Sequence, residues 1–124
     1  ALSGGGILRY TGATASSDRQ FSTSGTGGTI SATSGAPLTL SGAINNAGTT
    51  LTFDTNGGSI TASGLISGAG AVTKSGASTL TLSNASSSFT GALSVTGGTL
   101  SYNSIANGGS VSSIGAAAAA TPIT

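Results

Sequence analysis

The feature that most restricts the fold open to this sequence is a rhythm of short apolar alternations. Leu65-Ile66, Val72, Leu80-Thr81-Leu82, Leu93-Ser94-Val95 and Leu100-Ser101-Tyr102 recur at intervals of roughly 6 to 13 residues between Gly64 and Asn103. Clusters of Gly, Ser, Asn and Thr fill the gaps. Period-2 alternation bounded by turn formers marks short, half-buried strands. No segment carries the 3.6-residue stripe of an amphipathic helix. Many short strands at near-regular spacing, without helices, leave a sandwich, a barrel or a β-solenoid.

The same rhythm runs through the rest of the sequence. A strand centres on Ile7-Leu8-Arg9-Tyr10, and Ala13 to Arg19 reads as a polar loop. Phe21 begins the next strand, followed by Gly27–Ala32, Pro37–Ile44, Thr50–Phe53 and Ser59–Thr61. Asn45-Asn46-Ala47-Gly48, Asn56-Gly57-Gly58 and Asn107-Gly108-Gly109 mark sharp turns, the last leading into a strand at Ser110-Val111. Asn-Gly tolerates positive φ, so these sites suit either hairpin turns or the corners between the faces of a coil. Ser113 to Thr124 is expected to be a loop or irregular corner, because five alanines before Thr-Pro are too few to hold a helix in water. Pro122-Ile123-Thr124 reads as a strand start. Run on into Ala1–Tyr10 it keeps the same rhythm, which predicts ends that meet in a head-to-tail series.

Residues 68 to 100, GAGAVTKSGASTLTLSNASSSFTGALSVTGGTL, carry a denser pattern. It comprises Gly68 and Gly70; Val72, Lys74 and Gly76; Thr79, Leu80 and Leu82; Asn84, Phe89, Thr90 and Gly91; and Val95, Gly97, Gly98, Thr99 and Leu100. This stretch resembles the autotransporter-associated β-strand repeat, departing from it in the extended Asn84–Phe89 turn and in Ala92-Leu93, where that family usually carries Gly and Thr. The resemblance extends over about a quarter of the sequence. It implies a right-handed parallel β-helix on an extracellular or surface-exposed bacterial protein.

Composition bounds the function classes. Only 4% of residues are charged and the formal net charge is +1, against about 25% charged residues in an average soluble domain. Nucleic acid and anionic membrane are therefore not expected as partners. Ser, Thr and Gly make up more than half of the sequence, so solubility rests on hydroxyls and backbone, and weak charge repulsion favours side-by-side association. With no cysteine there is no disulfide framework. No charged segment followed by an apolar core opens the sequence, so no signal peptide is expected. No apolar run approaches the ~20 residues of a membrane helix.

Catalytic readings find few groups. There is no His, Cys or Glu, which leaves Asp18, Asp54 and Lys74. Asp18 beside Arg19 reads as a solvated loop pair, and Asp54 before Thr55-Asn56-Gly57 as a turn former. A Lys74–Ser75 dyad fails because adjacent strand residues point to opposite faces. Gly68-Ala69-Gly70 lacks the third glycine and following helix of a dinucleotide site, and Val72-Thr73-Lys74-Ser75 lacks the glycines of a phosphate loop. Two aspartates are too few for repeat-type calcium loops. No enzyme, cofactor or metal site is expected.

The expectation is a single all-β module over residues 1–124, a parallel β-solenoid of about five to six coils with some 20 to 25 residues per coil. Leu, Ile, Val and Phe would fill its interior. No capping helix is visible at either end, and an open strand edge is a template for pairing. The end coils, with Ile7, Leu8 and Tyr10 at one end and Ile114 and Ile123 at the other, are the expected self-association residues. The function expected is an extracellular structural module stacking end to end into a filament or a long surface stalk, with copies of itself or neighbouring repeats as partners. Two alternatives are an adhesin-like passenger segment touching host surfaces or glycans, and an ice binder using Thr50, Thr52, Thr79 and Thr81. Asn84-Ala85-Ser86 is a single glycosylation sequon.

Overall fold

Fourteen strands and no helix make up the computed structural model, which describes residues 1–124. The strands are β1 (Leu2–Ser3), β2 (Gly6–Tyr10), β3 (Ala15–Ser17), β4 (Phe21–Ser24), β5 (Gly28–Ala32), β6 (Leu38–Leu40) and β7 (Ile44–Asn45). They continue as β8 (Leu51–Asp54), β9 (Ile60–Ala62), β10 (Ile66–Ser67), β11 (Val72–Ser75), β12 (Thr79–Leu82), β13 (Leu93–Val95) and β14 (Thr99–Tyr102). Up to β12, every third strand falls on the same face. The first face is β1-β4-β7-β10, the second β2-β5-β8-β11-β13 and the third β3-β6-β9-β12-β14. All pairings are parallel, and register partners lie 20 positions apart at Leu80–Leu100 and 23 at Phe21–Ile44. The molecule is a three-faced β-solenoid of five coils, about 25 Å tall at ~4.8 Å per coil.

The alternation in the sequence decides which side chains enter the coil. Leu51, Phe53 and Thr55 point in and are buried, while Thr52 and Asp54 between them point out and are half-buried. Fifteen buried apolar residues form one continuous cluster, including Ile30, Phe53, Val72, Leu80 and Phe89. They stack in ladders along the axis: Leu38, Ile60 and Leu80 are successive register partners, as are Ile44 and Ile66, and the half-buried Leu100 continues the first ladder. Each fully buried Leu, Ile or Phe contributes about 1.5–3 kcal/mol relative to exposure.

The corners are also in register. Thirty-three of the 62 backbone hydrogen bonds lie outside the strands, among them Ser41 N–H to Ser17 O and Ser63 N–H to Leu40 O. Such close stacking excludes side chains at fixed places. A Cβ on Gly64 would sit 2.0 Å from the Gly42 carbonyl oxygen, and one on Gly91 would sit 2.3 Å from the Gly70 carbonyl carbon. These glycines are required by backbone approach between coils.

Several expectations about extent are corrected. Pro37–Ile44 is not one strand: it divides at the Ser41–Ala43 corner into β6 on the third face and β7 on the first. Ser110-Val111 forms no strand. It belongs to a C-terminal segment that folds over the fifth coil as an irregular cap, with Ser112 N–H donating to Ser87 O, Ala116 N–H to Phe89 O and Thr124 N–H to Leu93 O. As expected, the alanine run forms no helix, and Ile123 bridges to Leu93 in parallel. The run-on of Pro122–Thr124 into Ala1–Tyr10 does not fit the coil. Ile123 continues the second face and Leu2 lies on the first, so joining them would omit the third.

Candidate functional site

The molecule offers three places where chemistry could reside: its outward columns, its two ends and a set of polar groups inside its corners. The outward columns follow from the register. On the third face Ser16, Thr39, Thr61 and Thr81 are successive partners, continued by Ser101, and Thr79 pairs with Thr99 beside them. On the second face Ile7, Thr29, Thr52, Thr73 and Ser94 form one column and Arg9, Ser31, Asp54 and Ser75 another. Hydroxyls thus repeat at the coil spacing of about 4.8 Å. Of the threonines read as paired arrays, Thr52 and Thr81 stand on different faces, Thr50 precedes β8, and only Thr79 with Thr81 shares a strand. Asp54 is not the turn former it was expected to be: it ends β8 and accepts a hydrogen bond from Ser31 Oγ at 2.9 Å. Asp18 and Arg19 lie in the connection between β3 and β4.

The two ends differ. Ile7, Leu8 and Tyr10 lie on β2, the edge strand of the second face, with Ile7 59% and Leu8 43% exposed. Inside this end is an apolar cavity of about 380 Å³, lined by Leu8, Tyr10, Phe21, Ile30, Leu38 and Leu40 with Arg9 and Arg19 at the lining as well. It exists because the first coil places Ala15 and Ser17 in register with Leu38 and Leu40, too little volume to cover them. At the other end Ile114 packs against the core beneath the cap, and Ile123 is 57% exposed. The five residues expected at a joint are therefore divided between opposite ends of the stack and not brought together within one molecule.

The interior polar groups did not stand out in the sequence, and Lys74 is chief among them. It follows Val72 at the same parity, so the strand turns it into the coil, in the ladder that holds Ile30, Phe53 and Val95. The side chain is completely buried. Its Nζ donates to Ser75 O at 2.8 Å, Gly76 O at 2.7 Å and Gly97 O at 2.9 Å. All three ammonium protons are thereby placed on carbonyls of the corner between the second and third faces. Burial pushes the Lys74 pKa below its ordinary 10.5, and the Asp54 carboxylate offsets part of that shift. One coil below, the buried Thr55 donates to Ser75 O and Ser78 O, both at 3.0 Å. The corner between the first and second faces has its own clamp. Asn46 is buried, donates from Nδ2 to Gly70 O at 2.7 Å and accepts from Gly70 N–H at 2.9 Å. The signal for Lys74 was present in the alternation; Asn46 read only as part of a turn. No buried side-chain polar atom lacks a partner.

Residues 72–101, covering β11 to β13 and all of β14 but its last residue, match the family model of the passenger-associated-transport-repeat. The sequence is also similar to the adhesin BmaC autotransporter of Brucella suis biovar 1 (strain 1330), with 38% identity over 112 residues. That similarity spans 89% of this chain and 3% of the adhesin's length. No solved structure matches. The last two coils of this parallel solenoid thus carry a passenger-associated-transport-repeat, and the chain as a whole is similar to a short stretch of an autotransporter adhesin.

Proposed function

We propose that this protein is a structural segment of a surface-exposed adhesin passenger, one that supplies length and rigidity and performs no chemistry of its own. One observation carries the reading. Five coils in strict register present outward columns of hydroxyls, with no cluster of metal-ligating side chains on any face. The similarity to an autotransporter adhesin and the passenger-associated-transport-repeat at residues 72–101 agree with a place outside the cell. The test is made in a passenger that carries the segment. Thr39, Thr61 and Thr81 are replaced together by Ala, and separately the segment is replaced by an unrelated solenoid of equal coil number. A spacer role predicts that adhesion to host cells survives both changes. Loss of adhesion in the triple variant would sink the spacer reading and favour a face that binds glycans or host surfaces.

A second reading, end-to-end stacking between copies, is favoured by the open first coil. Strand edges on all three faces and an apolar cavity there suit another coil in parallel register. Electron microscopy of the purified protein tests it: fibres with an axial repeat of about 25 Å support stacking at ~4.8 Å per coil, and discrete particles of that size contradict it. Leu8→Pro removes an N–H from the edge strand and should abolish any fibres. The third-face threonine column also supports a hydroxyl-array reading toward ice, for which the absence of thermal hysteresis would be decisive.

A further inference from the structure

The quartet Asn-Gly-Gly-Ser occurs twice in the sequence, at 56–59 and at 107–110. We propose that the second copy is a site of spontaneous deamidation, Asn107 converting to aspartate and isoaspartate, while the first is held inert by the fold. The reaction needs the following glycine's amide nitrogen as nucleophile. Gly108 N–H gives up its proton to solvent base and the nitrogen attacks Asn107 Cγ. The new bond closes a succinimide as the bond between Asn107 Cγ and Nδ2 breaks, and ammonia leaves with the proton it requires. Water then opens the ring at either carbonyl. The sum is amide plus water to carboxylic acid plus ammonia, with no change in oxidation state.

The two copies share their local sequence and differ in what holds the attacking nitrogen. Gly57 N–H donates to Ala32 O at 3.1 Å, and Gly58 N–H donates to the same oxygen at 3.0 Å. Nucleophilic attack at Asn56 therefore requires this corner to open first. In the cap, Gly109 N–H donates to Ala117 O and Ser110 N–H to Asn107 O, but Gly108 N–H has no backbone acceptor. Asn107 and Gly108 are both exposed, and the Asn107 side chain makes no hydrogen bond within the molecule. One backbone hydrogen bond alone corresponds to a factor of about five in the population of the reactive state. The product places a carboxylate on a protein whose formal charge is +1. In the isoaspartate form it also lengthens the backbone where Gly108 lies against Ala119.

The experiment incubates the full-length protein at mildly alkaline pH and follows each Asn by peptide mapping, scoring the mass change of amide to acid and the isoaspartate isomer. The same incubation in concentrated urea is the control. The expected result is conversion at Asn107 at least about fivefold faster than at Asn56 in the folded protein, with the two rates converging in urea. Equal rates in the folded protein, or faster conversion at Asn56, would overturn the proposal. A difference that persists unchanged in urea would overturn it as well, because local sequence and not the fold would then be its cause.

Discussion

The first and fourth coils are cut to the same template and have opposite fates. The fourth places Ile66, Val72, Lys74, Leu80 and Leu82 inside, and every one is buried. The first places Gly6, Leu8, Ala15 and Ser17 in the columns of Val72, Lys74, Leu80 and Leu82, and none of its residues is buried. Part of the difference is volume, since Ala15 and Ser17 stand where later coils have Leu38 with Leu40 and Leu80 with Leu82. The larger part is neighbours. The fourth coil has a coil on each side, whereas β1, β2 and β3 are edge strands with partners on one side only. In a solenoid, then, a residue's burial depends on the coils above and below it as much as on its own type.

Removing the clamp at the centre of the well-packed coil should have the largest effect. Lys74→Met keeps the stem but leaves the carbonyls of Gly76 and Gly97 without a donor and Ser75 O with Thr55 alone, at an expected cost of about 3–5 kcal/mol. Denaturant unfolding measures it, and a change below about 1 kcal/mol would show that the three bonds contribute little net stability. Next comes the direct contrast of equivalent apolar truncations. Leu80→Ala, fully buried, should cost about 2–5 kcal/mol. Leu8→Ala, 43% exposed at an open edge, should cost about 1 kcal/mol or less. Equal costs would erase the distinction between the coils.

The smallest effect is one of pH. The folded pKa of Lys74 lies below 10.5 because burial disfavours the ammonium. Between that lowered value and 10.5 the unfolded state binds more protons than the folded one. Stability contributed by this group therefore rises with pH across the window and falls as pH drops through it. Melting curves of the wild-type protein and of Lys74→Met over this range should show the slope only in the former.

Much of this architecture was legible in the sequence because period-2 alternation and turn residues carry local physics. Leu80-Thr81-Leu82 and Leu51-Thr52-Phe53 declared their inner and outer sides outright. What was not legible depends on contacts across coils. Whether Ala43-Ile44 continues β6 or starts a new face is decided by the Gly42–Gly64 approach, which no window around residue 44 reveals. Ser110-Val111 has strand-like composition and forms part of a cap instead. Lys74 was visible as part of a repeat pattern, and its inward direction followed from parity with Val72, but its partners are the carbonyls of a corner and of the next coil. Asn46 could not be distinguished from an ordinary turn asparagine, since its partner Gly70 lies 24 positions away.

The central claim is the parallel register of the coils, and the absence of cysteine makes a direct test simple. Thr52 and Thr73 are register partners on the outward side of the second face, and Ser94 is the next in the same column. Neighbours at ~4.8 Å fall within the range of about 4.4–6.8 Å that a disulfide spans between Cα atoms, and residues two coils apart do not. Under mild oxidation, Thr52→Cys with Thr73→Cys should cross-link within one molecule and Thr52→Cys with Ser94→Cys should not. Failure of the first pair, or equal cross-linking of the second, would contradict the solenoid.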